Sequence, residues 1–287
     1  MENQYILSCI NGLPPSKAVI EYSCWLTSKL DKNLKLLHVL DQQYHEEEAN
    51  LSGSIGLGTR EEMLEQIVEI EHQQNKLLQQ KAKLILESAK EQAKTLGVKE
   101  AELCLRRGKL IENILEFNEK IAVAVIGKYG KDHQNQQGTN VVGHKVEALV
   151  RTLRKPILII SEVFNAPQSI CLAYDGSEGA NKTLDFIGEH KGLTNLSVHI
   201  VYVGEANEEN QARLQKAKDK LKAQSITSET ATISGNVDEA LMQYMQQHNI
   251  SMLAMGAFGH HWIRDFVMGS VTSKVIKNIK RPLLLVR

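Results

Sequence analysis

The 287-residue sequence lacks an excess of charge of either sign, because 34 lysine and arginine residues balance 34 aspartate and glutamate residues. Proteins that bind nucleic acid or an anionic membrane surface generally carry a basic patch or a net positive charge. The charge balance therefore argues against both partners. The sequence also lacks any run of about 18 consecutive apolar residues, the length that a membrane-spanning helix requires.

Cysteine is scarce and scattered, with no Cys-x-x-Cys pair and no metal-ligand spacing. Three of the four cysteines lie in or beside apolar runs, so we interpret the set as reduced core residues: Cys9, Cys24, Cys104 and Cys171. The first twelve residues contain an early acidic residue, no basic region and only a short apolar run, which is not typical of a secretory signal. We expect a cytoplasmic protein.

An internal repeat organises the chain. An apolar run that ends in a polar-glycine turn occurs at 5–12 (YILSCING) and again at 170–177 (ICLAYDGS). The segments that end the two halves, up to about residues 161 and 287, align almost residue for residue. Gly143 stands opposite Gly269, and Pro156 opposite Pro282. We predict an N-terminal domain at 1–161, a linker near 161–169 and a C-terminal domain at 168–287.

Each half alternates apolar strand patterns with helical patterns, in the order β-α-β-α-β-α-β-α-β. Strands that are apolar at nearly every position indicate a parallel sheet covered by helices on both faces. The sequence therefore predicts α/β architecture, with two tandem doubly wound five-stranded parallel-sheet domains.

The first half contains an insert at about 44–96. Gly127 comes 116 positions after Asn11, whereas the matching residue Gly256 comes 81 positions after Asp175. Most of the insert has helical spacing and ends at a glycine, so we expect one long helix. We favour an extended crossover helix over a lid or a partner-binding arm.

A glycine pattern in the second half indicates phosphate binding. Gly256 closes the fourth apolar run, Gly259 follows after two intervening residues, and Gly269 and Ser270 precede the last helical stretch. Glycines allow a close approach of the backbone to an anion, and a helix amino terminus offers free amides and a favourable dipole. The alternative is that Ser270 only caps its helix and the glycines only form turns.

This G-x2-G-x9-G-S pattern resembles that of ATP-binding members of the universal stress protein family. The turn Asp175-Gly176-Ser177 and the ending Lys280-Arg281-Pro282 before a final apolar strand also resemble that family. The two halves together extend the resemblance over nearly the whole chain. It implies a fold related to the adenine nucleotide alpha hydrolases, and ATP as ligand, with or without Mg²⁺.

The resemblance also implies a role for particular residues of the second half. An alternative role for Asp175 is an Asx turn with Gly176. The implied contacts are Asp175 with the adenine and ribose, Val203 with the adenine, Met255 and Gly256 with the ribose, Gly259 with the phosphates, and Gly269, Ser270 and Val271 as the rest of the phosphate cradle.

The first half departs from this pattern. Asn11 stands at the aspartate position, Leu13 at the following serine position and His144 at the serine position of the phosphate loop. The loop between Gly130 and Gly143 is also three residues longer. We therefore predict that the first half binds ATP weakly or not at all.

We favour a binding module over an enzyme, with at most slow ATP hydrolysis. The sequence offers no convincing Walker lysine, Ser/His/Asp arrangement or metal-binding histidine cluster, and no G-x-G-x-x-G opens either first helix. We interpret four polar residues between the glycines as solvated or packing residues rather than catalytic or Mg²⁺-binding groups: His260, His261, Arg264 and Asp265. The alternatives are an adenylyl-transferring or slowly hydrolysing enzyme, and a nucleotide-independent scaffold.

The apolar strands at 157–160 and 283–286 are candidates for assembly. Universal stress proteins commonly dimerise through the last strand, so the resemblance implies that these two segments can pair within one chain as an internal pseudo-dimer. A homodimer and a further protein partner remain open alternatives.

Overall fold

The computed structural model describes residues 4–40, 57–128, 144–161, 163–257 and 271–287, with the backbone alone for 57–65 and 144. Within these ranges the strands are β1 Tyr5–Cys9, β2 Asn33–Leu40, β3 Ala101–Arg107, β4 Ile121–Gly127, β5 Ile157–Ile160, β6 Ser169–Ala173, β7 Ser197–Val203, β8 Ser228–Ile233, β9 Met252–Gly256 and β10 Leu283–Val286. The α-helices are α1 Pro15–Leu30, α2 Leu57–Thr95, α3 Leu110–Glu116, α4 His144–Thr152, α5 Glu178–Glu189, α6 Glu208–Ala223, α7 Val237–Gln247 and α8 Val271–Asn278.

The ten strands form a single sheet in the order β3-β2-β1-β4-β5-β10-β9-β6-β7-β8. Within β1–β5 and within β6–β10, all neighbouring strands are parallel. The predicted α/β class is confirmed, and both sets of five strands have the same internal order. The two sets join edge to edge into one continuous sheet.

The junction is the antiparallel pairing of β5 with β10. Leu283 pairs with Ile159, Leu284 with Leu158 and Leu285 with Ile157. All residues of both strands are buried, and the pairing satisfies backbone groups that an edge strand would leave open. The prediction that these segments pair within the chain is confirmed.

Helices cover both faces of the sheet and create two apolar cores. Side chains of α1, α2, α5 and α6 pack on one face, and side chains of α3, α4, α7 and α8 pack on the other. Successive residues of a strand alternate between the two cores: Ile6 belongs to the first, while Tyr5 and Leu7 belong to the second. This two-sided burial explains why the strands are apolar at nearly every position.

The cysteines are free thiols, as predicted. Cys9, Cys24 and Cys171 are buried, whereas Cys104 is half-buried. Burial raises the pKa of the Cys9 and Cys24 thiols to about 12, so both are protonated and poorly nucleophilic near neutral pH. In the described residues, no helix combines the length and the apolar character needed to cross a bilayer.

Helix α2 accounts for most of the insert and is 39 residues long, which confirms the prediction of one long helix. It ends at Thr95, and Gly97 follows with a φ of +90°, a conformation that favours glycine after a helix. Ala82, Leu86, Ala89 and Ala93 are buried against the protein. Residues 44–56 of the insert lie outside the described residues.

A buried lysine connects the two halves of the sheet. Lys128 follows β4 directly and is 1% exposed. Its ammonium donates hydrogen bonds to the carbonyl oxygens of Lys277 and Ile279, at 2.7 Å and 2.9 Å, where α8 ends. A cation at a helix carboxyl terminus satisfies free carbonyls and interacts favourably with the helix dipole. Lys128 therefore fixes the end of α8 against the first half.

We expect Lys128→Met to lower the free energy of unfolding by about 2–3 kcal/mol, because the substitution leaves the buried carbonyl groups without their charged donor. Urea denaturation monitored by circular dichroism measures the change. Lys120→Met is the matched control, since Lys120 is exposed and its loss should be nearly neutral. Equal stability of the Lys128 variant and the wild type would contradict this role.

Candidate functional site

The candidate site lies where the strand order changes direction in the second half. Strand β6 has β7 on one side and β9 on the other. The connection after β6 leads to β7, and the connection after β9 leads to β10, so the two leave this point in opposite directions. Ala173, at the end of β6, pairs with Met255 of β9 and with Val201 of β7. Ligands of open α/β sheets bind in the crevice at this kind of position, beyond the carboxyl ends of the strands.

A tight turn follows β6 at this edge. The Asp175 carboxylate accepts a hydrogen bond from the Ser177 amide at 2.9 Å, and Gly176 has a φ of +77°. Ser177 caps α5, since its hydroxyl oxygen accepts a hydrogen bond from the Ala180 amide at 3.2 Å. The Asx turn considered for Asp175 is therefore present. The half-buried carboxylate stays at the edge of the sheet, where its proposed nucleotide contact remains a prediction.

The packing of β9 against α5 requires a glycine at position 256. A Cβ atom on Gly256 would lie 2.5 Å from the carbonyl carbon of Gly179 and 2.8 Å from the nitrogen of Ala180. Both contacts are with backbone atoms, which cannot rotate away as a side chain can. The first turn of α5, which follows the Asp175 turn, thus packs directly on the end of β9.

Sequence reasoning missed Arg213, on α6. Its guanidinium donates hydrogen bonds to the Asp175 carbonyl oxygen and the Asn210 side-chain oxygen, both at 3.1 Å, and forms an ion pair with Glu209 at 2.9 Å. A Cβ on Gly176 would lie 2.5 Å from Cδ of Arg213, so the arginine stem covers the turn. The Glu209–Arg213 spacing is the only sequence signal, and it indicates merely a helical ion pair.

Arg213 also affects the neighbouring Tyr174. Burial raises the pKa of the Tyr174 phenol, while the Arg213 charge acts in the opposite direction and Asp175 reinforces the increase. The phenol hydroxyl donates a hydrogen bond to the Asn181 side chain at 2.8 Å. Tyr174 therefore stays neutral and anchors α5 rather than serving as a proton-transfer group.

The structure brings four of the predicted residues to one edge of the sheet. Asp175 follows β6, Val203 ends β7, and Met255 and Gly256 end β9. Val203 is half-buried and Met255 is buried. Val271 begins α8 and is half-buried against the core, while Gly259, Gly269 and Ser270 lie outside the described residues.

Comparison with known proteins identifies the family. The model of the universal stress protein family matches residues 204–287. Universal stress protein Slr1230 of Synechocystis sp. is 36% identical over 286 residues, which cover 98% of this chain and 99% of that protein. The chain belongs to the universal stress protein family. The resemblance based on the glycine pattern and the flanking turns is confirmed.

Two further relatives agree with this assignment. A crystal structure of a universal stress protein from Archaeoglobus fulgidus has a TM-score of 0.73 at 18% identity, covering 100% of this chain and 99% of that one, and it supports the fold. Universal stress protein YxiE of Bacillus subtilis is 25% identical over 142 residues, which cover 40% of this chain and 96% of that protein. That relative corresponds in length to about one of the two halves.

The first half of this universal stress protein keeps the turn but changes what covers it. The Asn11 side-chain oxygen accepts hydrogen bonds from the Leu13 amide at 3.0 Å and the Ser16 hydroxyl at 2.8 Å, and Gly12 has a φ of +74°. A Cβ on Gly12 would lie 2.5 Å from Cδ1 of Ile85 on α2. A hydrocarbon side chain therefore occupies the position that Arg213 occupies in the second half.

Metal binding finds no support in the part of the chain that the structure describes. There, no group of three or more histidine, cysteine, aspartate or glutamate side chains is arranged to hold a metal ion. His260, His261, Arg264 and Asp265, considered above as polar residues near the phosphates, lie outside the described residues.

We expect Gly256→Ala to destabilise the protein by about 1–3 kcal/mol, because the added methyl group overlaps backbone atoms of α5. Thermal denaturation followed by circular dichroism measures the loss. Gly179→Ala is a matched control at the same contact, since its Cβ would lie 3.2 Å from the nearest atom, Gly256 Cα, and the helix gains an alanine. A smaller loss for Gly256→Ala than for Gly179→Ala would contradict the packing argument.

Proposed function

We propose that the second half binds ATP in the crevice between β6 and β9, and that the chain acts as a regulatory universal stress protein rather than as an enzyme. One observation carries this proposal: α5, which directly follows the Asp175 turn, packs on the end of β9 at Gly256, at the point where the strand order changes direction. The segment 258–270, with Gly259, Gly269 and Ser270, connects this point to the start of α8.

The base and ribose of ATP have suitable partners at this edge. The half-buried side chain of Val203 offers an apolar surface to adenine at the end of β7. Asp175, in the adjacent turn, has carboxylate oxygens that can accept hydrogen bonds from ribose hydroxyls. Val203 and Asp175 follow neighbouring parallel strands, so one nucleoside can contact both.

The phosphates would lie between Gly256 and the amino terminus of α8. Val271 is the first residue of this helix, so Gly269 and Ser270 immediately precede its free amides. A helix amino terminus favours a bound anion, and glycine allows close approach of the backbone. Arg213, which covers the Asp175 turn, adds positive charge near the site, and Glu209 partly balances this charge.

We further propose that the chain consists of two tandem universal stress protein domains, at 1–161 and 168–287, of which only the second binds ATP. The repeated strand order supports the division. Ile85 over the Gly12 turn supports the difference in binding, because in the first half a hydrocarbon side chain covers the turn that the Arg213 cation covers in the second.

A regulatory role fits the chemistry of the described edge. The Asp175 carboxylate is already an acceptor within its own turn, and the Tyr174 phenol has a raised pKa. A neutral phenol is not a general base near neutral pH, and Asp175 lies in the turn assigned above to the ribose. ATP at this edge would instead contact α5, β9 and α8 at once, and binding would stabilise their mutual arrangement. We propose a cytoplasmic location and at most slow hydrolysis.

The direct test is isothermal titration calorimetry of the full chain with Mg-ATP. We expect saturable binding at one ATP per chain, and a loss of affinity of at least about tenfold in a Gly259→Val, Ser270→Ala variant, because the bulky side chain blocks the phosphate and the hydroxyl donor is removed. Circular dichroism should show that the variant remains folded.

The matched control carries Gly130→Val and His144→Ala at the corresponding positions of the first half. Its affinity and stoichiometry should equal those of the wild type. Two ATP molecules per chain, or loss of binding in the control alone, would contradict the assignment to the second half. Absence of binding by the wild type would favour a nucleotide-independent scaffold.

A further inference from the structure

The amino-terminal part of α2 extends beyond the core of the protein. We call residues 66–84 the arm. Most arm side chains are exposed, and regular burial of α2 begins only near Ala82 and continues at Leu86, Ala89 and Ala93. A helical segment that does not pack on its own protein gains little from tertiary contacts, so the composition of its exposed face calls for an explanation.

Large apolar side chains form a stripe along the arm. Ile70, Leu77 and Leu84 are 54%, 64% and 71% exposed, and consecutive members are seven residues apart. Positions seven apart lie on one face of a helix. Leu77 and the buried Leu86 are nine residues apart, about two and a half turns, so the stripe faces away from the protein. Single exposed apolar residues are ordinary, but an aligned row marks an interaction surface.

Charged residues flank the stripe with the same spacing. Glu69, Lys76 and Lys83 follow each other at intervals of seven along one side of it. The Glu69 carboxylate accepts a hydrogen bond from the Gln73 side chain at 2.9 Å, which holds it along the helix. The flank is thus acidic at its amino-terminal end and basic towards its carboxyl-terminal end.

This distribution of charge is complementary to itself in one orientation only. In two parallel arms, this flank of one helix would face positions five residues further along the other helix, so Lys76 would lie beside Lys81 and Glu69 beside Gln74. Two antiparallel arms would place the acidic end of one beside the basic end of the other, as interhelical charge pairs require. A second copy of this chain therefore fits the stripe with both its apolar groups and its charges.

We propose that the arm is a homodimer interface, in which the arms of two copies pack antiparallel with Ile70 of each copy against Leu77 of the other. The two-fold axis passes near Gln73 and Gln74, which gives the isologous contact of a closed dimer. Glu69 of each copy then lies within about 3 Å, along the helix axis, of Lys76 of the other.

The rest of the protein permits this arrangement. The stripe faces away from the buried side of α2, so the two cores lie on opposite sides of the paired arms. The strands β5 and β10 are already paired inside the chain, and they are not available to pair with a second copy. The arm therefore creates a dimer without any change in the sheet.

Sedimentation velocity of the full chain over a concentration series tests the proposal. We expect a reversible monomer–dimer equilibrium in the wild type and a monomer at every concentration for Leu77→Glu, because a buried carboxylate would face Ile70 of the second copy. Leu77 is exposed in the single chain, so circular dichroism should show an unchanged fold. The matched control is Val163→Glu, at a site that is 84% exposed and not part of α2; it should dimerise like the wild type.

A monomeric wild type, or a Leu77→Glu variant that still dimerises, overturns the proposal. Charge exchange then tests the orientation. Glu69→Lys and Lys76→Glu should each weaken the dimer by about tenfold, and the double variant should recover the wild-type dissociation constant. A double variant as weak as either single one contradicts the antiparallel register.

Cross-linking tests the position of the two-fold axis independently. In a Cys104→Ser background, Gln74→Cys should form a covalent dimer upon oxidation, because both copies of residue 74 lie near the axis. Gln66→Cys should not, since antiparallel packing separates its two copies by about 22 Å. Cross-linking at both positions would indicate parallel arms, and cross-linking at neither would show that the arms do not pair; either result overturns the proposal.

Discussion

The antiparallel contact between β5 and β10 is the constraint on which the rest of the molecule depends. Each strand is wholly apolar and buried, and each would be an open edge if its half stood alone. Their pairing also reverses the strand direction across the junction, so the carboxyl ends of the two sets of strands face opposite edges of the sheet. Lys128, at the carboxyl end of β4, can therefore reach the carboxyl terminus of α8.

The two halves show how a shared backbone can carry different surfaces. Gly12 and Gly176 have nearly the same φ, +74° and +77°, and each follows a side chain that accepts a hydrogen bond from the backbone two residues on. The covering side chain differs: Ile85 in the first half and Arg213 in the second. The turn therefore reflects the requirements of the fold, whereas the covering residue decides whether the edge is apolar or cationic.

Periodicity made much of the fold predictable, because apolar runs and glycine stops are local signals. The end of α2 before Gly97 followed from them, whereas the pairing of 157–160 with 283–286 was implied by the resemblance to the family. Contacts between distant residues leave no such signal. Lys128 has the appearance of a surface lysine in the sequence, and its acceptors lie about 150 residues away. The glycine pattern indicated a ligand at Gly256, but only the structure revealed that Gly179 also requires this glycine.

The helix that connects the second strand to the third serves a different purpose in each half. In the second half it is α6, 16 residues long, or about 24 Å; in the first half it is α2, 39 residues long, or about 58 Å. The shorter helix is sufficient to cross the sheet, so the additional length of α2 is not needed by the core. Leucine and isoleucine at exposed positions of that extension gain nothing from folding of the single chain. Because β5 and β10 are already paired with each other, the arm is where the described structure still offers aligned apolar side chains to a second copy.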